Sequence, residues 1–274
     1  MESAPRPVTP RPTTTATSGA APDASAAALP AHVADLLRLL TTEPGRPRLT
    51  WYGDDGERVE LSGAVLENWV NKTTNLLVEE FDAAPGTLVA IDLPVNWRTV
   101  IWALATWRAG ATAVLGDDAA GSGPDVVVTA EPSRWTTARA DLVAVALPAL
   151  ARRYDGDLPR GAVDAAAAVM TYGDQLGWVP AVEPDAPAVV HGTGAAPAPV
   201  AHAGLVTAAV AASPTPPGAR ALVTGGDDVA ATLATVLAVL ATGGSVVLLS
   251  PARAAALDPD ARRRLVESER VTAG

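Results

Sequence analysis

Short apolar runs, too brief to be helices, recur along this chain between segments of helical spacing, and glycine turns join several of them. Residues 88–93, 112–115, 126–129, 142–146 and 188–191 are such runs, and the β-branched second half of 229–252 is another. A strand that is apolar at every position is buried on both faces, which parallel sheets achieve by covering each face with crossover segments. The pattern therefore dictates an α/β fold of layered, parallel-rich sheets flanked by helices.

The helices between these runs can be placed from their periodicity. Val33, Leu36, Leu37 and Leu40 mark an amphipathic helix over 31–40, ended by Pro44-Gly45. Residues 49–52 and 59–61 read as strands around the turn Asp54-Asp55-Gly56. Ser62 is placed to cap a helix with Val65, Leu66, Trp69, Val70, Leu76 and Leu77 on one face. Asn96 leads into a helix over 97–108, and Gly110 turns it into the next strand. Residues 103–115 and 236–248 echo one another as helix end, glycine turn and buried strand. The echo has two readings: the common grammar of βα units, or a pair of related halves with a ligand cleft where they meet. Residues 162–170 are alanine-rich and read equally as helix or linker, and 204–212 is a further helix.

Composition removes several classes of function. The formal net charge is −10, so no basic stripe serves nucleic acid. There are no cysteines, which excludes disulfides and thiolate chemistry and fits a reducing cytoplasm. Only His32, His191 and His202 could supply imidazole to a metal, and Lys72 is the only lysine. The preference for arginine and alanine reads as the codon bias of a high-GC bacterial genome. Residues 1–29, rich in Pro, Thr, Ala and Ser, lack the run of about 7–15 apolar residues that a signal peptide needs, and read as a disordered tail. Residues 229–252 are uncharged, but Gly243-Gly244 makes helix, turn and buried strand a better reading than a membrane span.

The chemistry concentrates after the strand at 188–191. There His191-Gly-Thr-Gly-Ala-Ala-Pro-Ala-Pro-Val200 forms a loop of small residues, and His202-Ala-Gly-Leu205 starts the next helix. Such a loop can aim backbone N–H groups at a phosphate. It resembles the "TSGTTGxPKGV" phosphate loop of the AMP-binding, adenylate-forming superfamily, which includes the acyl-CoA synthetases. Other segments resemble that superfamily's N-terminal domain in the same order. They are Leu49-Thr-Trp-Tyr52 with Ser62, Ala90-Ile-Asp-Leu-Pro-Val-Asn96, Trp107-Arg-Ala-Gly-Ala-Thr-Ala-Val-Leu115, Thr242-Gly-Gly-Ser-Val-Val-Leu-Leu-Ser250 and Glu269-Arg-Val-Thr272. The chain also resembles a group of short actinobacterial proteins with marginal similarity to these enzymes.

The resemblance implies one α/β domain over 30–274, with sub-halves at 30–150 and 185–274 and a linker-like 151–184. It also implies ATP or AMP as the ligand, and Gly192, Thr193, Gly194 and His191 as the binding residues. The departures point away from catalysis. The superfamily's loop lysine falls on Ala198 and its second glycine on Ala195. The ATP-engaging acidic residue and the C-terminal lid with its lysine are expected beyond Gly274, so no lid domain is expected here.

For individual residues the alternatives stay open. His191 either lines a pocket or is a strand-end histidine bonded to backbone, and Thr193 is a ligand or a loop hydroxyl. His202 reads as a packing or capping residue, Trp97, Trp102 and Trp107 as core packing or as the lining of an apolar acyl or aromatic pocket, and Asp227-Asp228, Asp258 and Asp260 as helix N-terminal acids. The Gly-x-Ser-x-Gly elbow of the α/β-hydrolases does not occur. The leading expectation is a degenerate AMP-binding-like protein holding a nucleotide, phosphate or acyl ligand weakly, with no metal and no membrane or nucleic-acid partner. A protein-binding scaffold, or an enzyme half completed by a partner chain, are the alternatives.

Overall fold

The computed structural model describes residues 1, 28–54, 56–116, 119–136, 139–191 and 198–274. Most of the expected tail thus lies outside the described residues. The first half opens with helix α1 (Val33–Thr41), the strands β1 (Pro47–Tyr52) and β2 (Arg58–Ser62), and helix α2 (Gly63–Phe81). Strand β3 (Leu88–Asp92), helix α3 (Trp97–Arg108) and strands β4 (Thr112–Leu115), β5 (Val126–Thr129) and β6 (Asp141–Ala144) follow. Then come β7 (Val163–Asp164), the short α4 (Ala165–Ala168), β8 (Pro187–His191), β9 (Val200–Ala201) and α5 (Leu205–Ala212). The chain closes with β10 (Arg220–Thr224), α6 (Val229–Ala241), β11 (Ser245–Leu249), α7 (Pro251–Ala256) and α8 (Pro259–Ser268).

These strands make two sheets. The larger has the order β7-β6-β5-β3-β4-β8-β9 and is parallel except for the last pair. The smaller, β10-β11-β1-β2, is parallel except for the β1–β2 hairpin. The larger is built from the middle of the chain, and the smaller joins strands from near its two ends. Leu49 to Tyr52 pair with Val246 to Leu249, and Ala113 to Leu115 pair with Val189 to His191. Residues 151–184 contribute β7 at one edge of the larger sheet.

Side-chain alternation sorts the strand residues between faces. Val89, Ile91, Ala113, Leu115, Val126 and Val128 enter the main core, whereas Ala90, Val114 and Val127 form a small cluster with Ala119 and the partly buried Trp135. In the smaller sheet Val246 and Leu248 join the same main core, while Val247 and Leu249 pack with Leu265 of α8. One core therefore spans the space between the sheets. Helix α3 runs through it, and every residue from Trp97 to Trp107 is buried. A helix apolar or buried all round belongs at the centre of a fold, as α3 does here. All three tryptophans are buried in the core, and Trp107 also reaches a cleft at its edge.

Helix ends follow local chemistry. Ser62, Asn96, Asp228 and Asp258 cap α2, α3, α6 and α8 through their side-chain oxygens. The echoed segments end in the same way. Gly110 (φ 78°) and Gly243 (φ 76°) stand one residue past the caps of α3 and α6 in the left-handed region. Gly110 N–H donates to Trp107 and Ala111 N–H to Thr106, and Gly243 and Gly244 repeat the pattern onto Leu240 and Val239. This is the Schellman closure, and it sends each chain directly into a strand, β4 in one sheet and β11 in the other. Residues 229–252 are thus helix, turn and strand, and among the described residues no helix is long and apolar enough to cross a membrane.

Lys72 is tied down by local partners. Its Nζ donates to Tyr172 O at 2.6 Å and pairs with Asp174 at 2.7 Å, fastening the segment after α4 across α2.

Candidate functional site

In an open parallel sheet, ligands bind beyond the carboxyl ends of the strands, where the strand order reverses. Here β3 is followed by β4 on one side, while β5 and β6 continue on the other, so the reversal lies at β3. Asp92 ends that strand. Its Oδ2 accepts hydrogen bonds from Thr129 Oγ1 at 2.8 Å and Trp135 Nε1 at 2.7 Å. Arg134 Nη1 stands 3.6 Å from Oδ1. The carboxylate therefore ties the end of β5 and the turn Pro132–Trp135 to β3, and keeps one face toward solvent.

Beside it opens a cleft of about 380 Å³ lined by Asp92, Gly116, Arg134, His191, Asp227 and Asp228 among others. The strand ends of β3, β4 and β8 form its floor, and the start of α6 forms its wall. Asp228 caps α6 by accepting from Ala231 N–H at 2.9 Å, as the sequence predicts for this pair. Among the described residues three carboxylates and one guanidinium line it, so this part of the mouth is acidic.

His191 and Asp228 also line a second, apolar cleft of about 270 Å³. Trp107, Leu115 and Val189 form one side, and Leu233, Ala234 and Leu237 of α6 another. Trp107 and Leu115 come from the first echoed segment and Leu237 from the second. The cleft thus lies where the two units meet. Trp107 is held by a bond from its Nε1 to Ala188 O at 2.9 Å, which fixes the plane of the indole wall.

Of the predicted binding residues, His191 stands at the junction of the two clefts. Gly192, Thr193 and Gly194 lie outside the described residues. The loop resumes at Ala198, which is exposed and offers only a methyl group where the resemblance places a lysine. His202 is a packing residue: buried, with Nε2 3.2 Å from Gly110 O. Burial pushes its pKa below the usual value, against the pull of the Gly110 and Ala111 backbone. Among the described residues no three His, Asp or Glu side chains converge to hold a metal ion. Asp92 and Arg134 escape the sequence reading. Asp92 had a signal, as an acid at the carboxyl end of a buried strand just before Pro94, whereas Arg134 had none.

Comparisons with solved structures agree with this fold. A Brucella canis acyl-CoA synthetase superposes with a TM-score of 0.65 at 19% identity, covering 88% of this chain and 49% of that one. The amide bond synthetase McbA from Marinactinospora thermotolerans gives 0.59 at 22% identity, covering 88% and 47%. An artificially fused adenylation-PCP di-domain, NpsA-ThdA from Klebsiella oxytoca, gives 0.62 at 17% identity, covering 89% and 42%. The fold is that of the N-terminal domain of the adenylate-forming enzymes. A curated relative, a TIGR03089 family protein of Mycobacterium tuberculosis, is 41% identical over 143 residues, which is 50% of this chain and 58% of the relative. No family model matches the sequence. The chain spans about half the length of the proteins it matches.

Proposed function

We propose that this chain binds an acyl group in the apolar cleft, with the head of the ligand at His191 and the loop that follows, and that it does not adenylate carboxylic acids by itself. One observation carries the reading: an apolar arm opens from an acidic mouth. Trp107, Leu115, Leu233 and Leu237 offer a dry surface to a hydrocarbon chain. The mouth offers Asp92, Asp227 and Asp228 against Arg134, which is already turned toward Asp92. A triphosphate entering there meets like charge, and unscreened carboxylates within about 8 Å act against it. Phosphoryl and adenylyl transfer lean on fixed positive charge at the phosphates, and Ala198 supplies none.

The test is calorimetric titration with an acyl-sulfamoyl-adenosine, the corresponding acyl-CoA, AMP and ATP, alongside ATP–pyrophosphate exchange with a fatty acid. Binding is expected for ligands carrying the acyl chain, weak binding for ATP and AMP, and no exchange. Robust exchange by the purified chain would overturn the non-adenylating half of the reading. Failure of every acyl ligand to bind would overturn the other half and favour a protein-binding scaffold.

A further inference from the structure

Arg98 is the most unusual charged side chain in the molecule. It stands in the first turn of α3, only 7% exposed, in a chain of net charge −10. No carboxylate among the described residues lies within ion-pair distance of it. Its partners are backbone carbonyls: Nη2 donates to Pro148 O at 3.1 Å and Ala149 O at 3.3 Å, and Nε reaches Leu147 O at 3.5 Å. Nη1 donates to no described residue. The guanidinium stacks over Trp97 at 4.3 Å and Trp69 at 5.6 Å, two rings that meet edge to face. Burial lowers its pKa to about 10, and the more distant Glu57 only partly offsets this. Glu57 is itself engaged, accepting from Trp51 Nε1 and Ala149 N–H. A buried cation without a counter-ion is costly unless something completes it.

Arg98 lies in the wall of a hollow of about 480 Å³ with a distinctive rim. Leu150 is 92% exposed and Met170 60% exposed, so two large apolar side chains stand in water at its edge. Arg152 adds a second cation to the lining. Asp164, the N-cap of α4, is committed to capping that helix and to Tyr154 N–H. Trp97 also has a buried indole N–H with no acceptor among the described residues, and Trp97, Arg98 and Trp69 share an adjoining enclosed space of about 20 Å³, the size of one water. A guanidinium donor left idle in the wall, a second arginine in the lining and apolar side chains at the rim describe one ligand chemistry.

We propose that this hollow binds a monocarboxylate with an apolar body, its carboxylate accepting from Arg98 and its hydrocarbon lying along Leu150, Met170 and Trp69. The site is separate from the acyl cleft, shares no lining residue with it, and does not depend on the function proposed above.

The experiment titrates the full chain with decanoate, 1-decanol and inorganic phosphate while following the arginine Nε–H resonance of Arg98 by NMR, assigned by its loss in both Arg98→Met and Arg98→Lys. Decanoate is expected to shift that resonance saturably, and decanol and phosphate to leave it in place. Leu150→Glu alters only an exposed side chain, keeps the fold, and sets a negative charge at the rim. It is expected to weaken decanoate at this resonance at least tenfold. A motionless Arg98 signal at saturating decanoate, or unchanged affinity in Leu150→Glu, would overturn the site. A shift produced equally by phosphate would reduce it to a bare anion contact and overturn the amphiphile assignment.

Discussion

Chain length is the sharpest probe of the apolar cleft. Its volume of about 270 Å³ gives room for on the order of nine groups the size of a water or methylene. Each methylene moved from water into such a surface contributes about 0.8 kcal/mol, roughly fourfold in affinity. Acyl-sulfamoyl-adenosines from butanoyl upward should therefore bind fourfold tighter per methylene and level off near decanoyl. Ala234 on α6 lines the cleft and is partly buried. Ala234→Leu keeps a good helix former there and fills space worth about three methylenes. The longest ligands should lose about 2.4 kcal/mol, roughly sixtyfold, and the butanoyl compound almost nothing. Isothermal titration of the ladder against both proteins decides it. Affinity that does not rise with chain length, or a variant that weakens every ligand by one factor, would refute the cleft as the seat of the acyl chain.

Other consequences can be measured separately. Asp92→Asn removes one charge from the mouth, and ATP should bind severalfold tighter, from the ~0.5–1 kcal/mol of a partly exposed charge contact; unchanged ATP affinity would mean that the acidic mouth is not what repels phosphate. Gly244→Ala would set a Cβ 2.5 Å from Ala219 O and 2.8 Å from Val239 O, so urea denaturation should show about 1–3 kcal/mol lost. His202 has a folded pKa below its usual 6.5, so the unfolded chain takes up its proton first on acidification. Its contribution is fully present above about pH 6.5 and falls below it by up to ~1.4 kcal/mol per pH unit, a slope that His202→Gln should flatten in urea melts at neutral pH and about pH 5.5.

The elements that local chemistry specifies were legible in the sequence. Helix α3 and the strands β4 and β5 stand where periodicity, the Asn96 cap and the Gly110 turn place them, because each signal acts within a few residues. Strand β7 was not legible. It is two partly exposed residues, Val163 and Asp164, and only pairing with Val143 and Ala144 makes them a strand. The division into two sheets was equally hidden, since nothing local tells β1 to seek β11 rather than β3. At the candidate site, composition singled out His191, which lines both clefts. Arg134 carried no local signal, and Asp92 gains its meaning from the strand order that puts the end of β3 at the reversal.

That same topology explains why the echoed segments end in a shared cleft while their strands part. Two Schellman turns send β4 and β11 into different sheets, so α3 and α6 must both face inward, and the core closes between them. Near the carboxyl ends of the strands small side chains take over: Ala230, Ala231 and Ala234 on α6, and Ala208, Ala209 and Ala212 on α5. A large residue at any of these positions would extend the core and close the space. The alanines leave it open beside His191, so the hydrophobic surface that holds the two sheets together continues into one that can receive a ligand. In this chain the apolar cleft is the unfilled end of the core, and filling it from α6 is the direct test of whether an acyl chain enters there.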